Sequence, residues 1–186
     1  MSGIEGRIRF PGNPWPEGHA LEEFAWTARL VEGRVWFDLH LRSRPYYDER
    51  DIEEDEDAGH DGDWQSPGVW GNYHRCTLSS TFWGGEGGFP VCEAALYTPE
   101  WLDGRTFEVD RAEGEIPDAD DLAFHLYLLG HDGAANHRIR FQRTDDGDRF
   151  DIAWDGNIAL TYVGNHALAH GFQARIVGVP FPQLPA

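Results

Sequence analysis

Apolar and polar residues alternate with a period of two along much of this chain, the signature of strands that bury one face. In residues 24–31, Phe24, Trp26, Ala28 and Leu30 share a face, and Thr27 and Arg29 take the other. In residues 34–42, Val35, Phe37, Leu39 and Leu41 point one way. Arg34, Asp38, His40 and Arg42 point the other way, with Trp36 among them. Glu32-Gly33 between the two segments predicts a tight hairpin turn, glycine supplying a positive φ.

The alternation returns in the C-terminal half. Ile139 and Phe141 interleave with Arg138, Arg140 and Gln142, and Phe150, Ile152 and Trp154 with Asp151 and Ala153. Asp155-Gly156-Asn157 reads as a second hairpin turn. Ile158, Leu160 and Tyr162 follow it, and Phe172, Ala174 and Ile176 form a last strand that stops at Pro180. Together these segments predict a C-terminal meander of four strands.

The middle is less regular. Residues 69–82 predict one long strand or two, with Trp70, Cys76, Leu78 and Phe82 turned inward. Residues 91–97 and 105–111 read as strands. Between them Thr98-Pro99-Glu100-Trp101-Leu102 reads as a short helical turn, capped by Thr98 and stopped at Gly104. Residues 122–129 alternate as a strand, although three aspartates precede them as they would a helix. The sum is an all-β chain: a single antiparallel β-sandwich or barrel of about ten strands, with at most one or two short helical turns. With no repeat and no linker, residues 1–186 read as one domain.

Charge changes the picture at one place. Ten of the sixteen residues from Asp48 to Asp63 are acidic, opposed only by Arg50, so this run carries nine of the eighteen net negative charges. The run is expected to form an acidic loop. All fifteen basic residues are arginine; the chain is lysine-free. Such a field opposes binding to nucleic acid or to an anionic membrane surface. With no basic-then-apolar leader and no apolar stretch of membrane-spanning length, the expected compartment is cytoplasmic.

A calcium loop in the EF-hand style would start at Asp57, but its third position is Gly59 and its twelfth Gly68. No resident cofactor is therefore expected, although a divalent cation could be held by Asp57, Asp61 and Asp63. His166 and His170, four apart, are weak metal-ligand candidates, with His131 or His137 as a third. Cys76 and His74 would share a strand face. Against that pairing stands the ordinary role of a buried cysteine as a small apolar side chain. Ser79 and Ser80 lie in no nucleophile elbow, and Gly84–Gly88 has no lysine and no following helix to hold phosphate. Trp64, Trp70, Tyr73 and Trp83 could form an aromatic surface for a ring or a cation.

The leading expectation is a non-catalytic protein that docks a basic protein partner, as an inhibitor or immunity-type protein does. Asp55, Glu56, Asp57, Asp61 and Asp63 would steer that partner, and Trp64 and Trp70 would anchor it. The alternatives are a carbohydrate- or small-molecule-binding β module built on Trp70, Tyr73 and Trp83, and a metal-dependent enzyme using the histidines.

Overall fold

The computed structural model describes residues 4–48, 62–83, 87–145 and 147–185. Ten antiparallel strands make the fold: β1 Glu5–Arg9, β2 His19–Val31, β3 Arg34–Ser43, β4 Thr77–Ser79, β5 Phe89–Glu93, β6 Thr106–Val109, β7 His125–Tyr127, β8 His131–Arg143, β9 Arg149–Ala159 and β10 His170–Pro180. Eight of them close into a barrel in the order β2-β1-β10-β9-β8-β7-β4-β3, and the β2–β3 pairing completes the circle. The two remaining strands extend the wall, β5 on β3 and β6 on β8.

The first hairpin forms as its sequence predicts. Glu32 and Gly33 have φ of 49° and 82°, the left-handed pair that a two-residue turn needs to match the twist of its strands. Across it Leu30 faces Val35 and Ala28 faces Phe37. The helical turn also forms: α1 is Pro67–Gly71 and α2 is Pro99–Leu102, and in α2 the Thr98 hydroxyl accepts from Trp101 N at 3.2 Å.

Two expectations need correction. Asp155-Gly156-Asn157 does not turn; it runs straight through β9, so the C-terminal meander has three long strands rather than four. Gly156 is there for close approach. A Cβ on it would meet Phe172 Cε1 at 2.7 Å and the Ala135 carbonyl at 3.1 Å, opposite the bulge where β8 shifts register between Ala135 and Arg138. Residues 69–82, expected to be strand, begin as α1 and become β only at Thr77. Trp70, Cys76 and Leu78 are buried as expected, whereas Phe82 lies past the end of β4 and is 57% exposed.

One aromatic-rich core fills the barrel. Trp26, Phe37, Phe141, Phe150 and Phe181 pack together beneath the β2–β3 hairpin. Phe10, Trp15, His19, Tyr46, Trp64 and Trp70 form a second cluster, drawn from the β1–β2 connection, the start of β2 and the segment after β3. No helix among the described residues is long and apolar enough to cross a membrane.

Candidate functional site: a cleft where two strands part

β7 and β8 pair through only two residue pairs, Leu126 with Asp132 and Tyr127 with His131. Beyond them β8 turns away, and by His137 it is pairing with β6 instead. The segment before β7 lies across the opening. Ile116 N bonds the His166 carbonyl at 2.9 Å, and the Ile116 side chain lies over Gly133, where a Cβ would meet it at 2.8 Å.

The splay leaves a cleft of about 450 Å³, within the usual range for small-molecule sites. Its floor is apolar, from Ile116, Leu122, Phe124 and Leu126, and Trp83 stands at its wall. Its polar groups are His125, His131, His166, Thr161, Asp118 and Asp132. Asp132 is buried, and its two oxygens accept from Leu129 N at 2.9 Å and Tyr162 N at 3.3 Å. Burial raises its carboxyl pKa, and these hydrogen bonds oppose the rise. Thr161 donates to the His131 carbonyl at 2.9 Å.

Trp83 follows a turn whose root at Ser80 is held by hydrogen bonds. Arg29 donates to Asp38 at 2.7 Å and to the Gly87 carbonyl, and Ser80 donates to the other Asp38 oxygen at 3.0 Å. Ser80 is thereby tied to β3 and Gly87 to Arg29 on β2. Phe82 stacks on His40, and Trp83 stands edge-on to Phe82, His125 and His131, with ring centroids 5.1, 6.2 and 6.3 Å away.

Beside the cleft, pairing across β3, β4 and β7 aligns His40, Ser79 and His125. His40 Nδ1 is 2.9 Å from Ser79 Oγ, and its Nε2 is 3.2 Å from Glu23 Oε2. The order Ser–His–Glu has the form of a charge-relay triad. Yet Ser79 is fully buried, and its oxygen accepts from Thr81 N at 3.1 Å and Phe82 N at 3.0 Å. Both lone pairs are spent on the turn, leaving the hydroxyl hydrogen for His40. The group anchors the Phe82-Trp83 turn and presents no free nucleophile.

The residues singled out in the sequence fall in separate places. Trp64 and Trp70 are core and cannot anchor a partner. Trp64 donates to the Pro11 carbonyl and stacks on His170 at 4.0 Å, and Trp70 donates to the Trp64 carbonyl. Tyr73 packs on Tyr127 and Tyr162, and of the four aromatics Trp83 alone lines the cleft. Asp55, Glu56, Asp57 and Asp61 lie outside the described residues; Asp63 accepts from the Tyr162 hydroxyl at 3.0 Å.

The histidines expected to hold a metal do not converge, and the cation expectation at Asp57 and Asp61 lies outside the described residues. His166 and His131 line the cleft, His170 lies against Trp64, and His137 is buried against Trp154 and Phe124. No group of three or more His, Cys, Asp or Glu is arranged to hold a metal among the described residues. Cys76 is buried, with its thiol pKa raised by burial, while His74 is exposed, so the two make no reactive pair. His125, Asp118 and Asp132 were missed in the sequence. The 122–129 alternation placed His125 on the outer face, but nothing local marked a cleft beside it. The chain matches no protein-family model, no curated protein and no solved structure.

Proposed function

We propose that the protein is a binding module for a small organic ligand, which sits in the cleft between β7 and β8 against Trp83. The observation carrying this reading is the splay of those strands, which leaves an apolar floor ringed by three imidazoles and two carboxylates. An apolar recess with a few convergent polar groups is the common form of a ligand site. The packing of Trp83 against Phe82, His125 and His131 supports the same reading, because it orients the indole before any ligand arrives. The test is a fragment screen by ligand-observed NMR on the wild-type protein and on Trp83→Ala. Fragments should lose about tenfold or more in affinity in the variant, as expected for removing an aromatic anchor. Hits that bind Trp83→Ala equally well and leave the cleft amides unshifted would end the idea.

A second reading, a basic protein partner steered by the acidic run, is favoured by the Tyr162–Asp63 hydrogen bond. That bond brings the last acidic residue of the run beside Thr161 at the cleft. Low-salt capture of a basic protein should then be lost when residues 48–63 are replaced by Gly and Ser; capture unaffected by the replacement would dispose of it.

A further inference from the structure

Among the described residues the cleft's lining holds two carboxylates and no arginine, although the chain has fifteen arginines. Elsewhere arginines pair with acids across the barrel surface: Arg29 with Asp38, Arg42 with Glu23, Arg143 with Glu100 and Asp148. Among the described residues neither Asp118 nor Asp132 pairs with an arginine; Asp132 accepts from two backbone N–H groups and has only the imidazole of His131 as a basic neighbour. A buried carboxylate with no permanent counter-charge is costly to keep ionised. A positive group entering the cleft would lower that cost. Asp118 belongs to the lining and is exposed, so an incoming charge can reach it.

The remaining walls accept the same chemistry. The face of an indole attracts a cation, more so when water is excluded, and among the described residues Trp83 is the indole in the lining. Imidazole ring nitrogens can accept from ammonium N–H groups. The apolar floor requires that the charge be carried on a hydrophobic body. The molecule's net charge of −18 raises the local concentration of cations and lowers that of anions.

Resting on the reading of the cleft as the binding site, we infer that its ligand is an organic cation, an ammonium group borne on a flat apolar body. An anion would meet two carboxylates and the field of the whole molecule. A neutral ring would fill the floor but leave the carboxylates uncompensated.

Isothermal titration of the full chain with three probes of matched shape tests this: 2-phenylethylammonium, 2-phenylethanol and 3-phenylpropanoate, at neutral pH and low ionic strength. The ammonium should bind about tenfold more tightly than the alcohol, the carboxylate should bind most weakly, and added salt should weaken the ammonium alone. Asp118→Asn should erase much of the preference. Asp120→Asn removes the same charge from an exposed neighbour outside the lining and should leave the preference intact. Equal binding of alcohol and ammonium, or an equal effect of the two variants, would overturn the inference while leaving the cleft as a site. Binding by none of the three would remove the cleft reading and the inference together.

Discussion

Ser79 and His137 show how position decides what a reactive side chain can do. Ser79 has a histidine and a glutamate in line behind it, but its oxygen already accepts two backbone N–H groups. A fluorophosphonate probe should therefore leave Ser79 unlabelled, as mass spectrometry of the treated protein would reveal. Ser79→Ala should cost about 1–3 kcal/mol in urea unfolding, because it strands those buried donors. His137 is fully buried, accepts from Trp154 Nε1 at 3.2 Å and lies 3.7 Å from Asp110. Burial lowers its pKa from 6.5 to about 3. The unfolded chain therefore takes a proton that the folded chain refuses, and stability falls as pH drops from about 6.5 toward 3. Asp110 and Asp132, whose carboxyl pKa values burial raises, act in the opposite sense and favour the folded state as they protonate. His137→Gln should unfold with a shallower acid dependence in that window, measured as the urea midpoint against pH; an unchanged slope would mean that His137 does not set it.

At the scale of the element, β9 carries the clearest lesson. Its Asp155-Gly156-Asn157 has the composition of a turn yet is extended, because Gly156 sits beneath Phe172 and against the Ala135 carbonyl. Gly156→Ala should cost about 1–3 kcal/mol through overpacking, readable as a lower thermal midpoint. An unchanged midpoint would mean that Phe172 gives way and that close approach is not what requires glycine there. The β2–β3 hairpin was legible because its pattern and its turn lie within twenty-five residues, and each element supplies its own evidence. The cleft was not legible. It exists because Ile116, Gly133 and His166, far apart in sequence, meet where β7 and β8 separate. Alternation gives the face a residue takes on its strand but says nothing of where neighbouring strands stop pairing. Trp64 and Trp70 were misplaced for a related reason: their proximity to the acidic run suggested surface, whereas α1 carries Trp70 into the core.

For the whole molecule, charge and closure set the behaviour. With a net charge of −18, the folded state bears repulsion that mobile ions screen. Moderate sodium chloride should therefore raise the thermal midpoint, measured by calorimetry, even as it weakens capture of a cationic ligand. The closing of the barrel has its own consequence. β1 lies between β2 and β10, pairing with the latter from Glu5↔Val177 to Arg9↔Gln173. The circle therefore depends on a seam between segments about 170 residues apart, and contacts of such long range form late and slowly. During synthesis the early strands must wait, with bare edges, for β10 to emerge. A chain cut short before residue 170 would be an open ribbon with two adhesive margins, and its expected fate is association with other chains rather than a slightly weaker barrel.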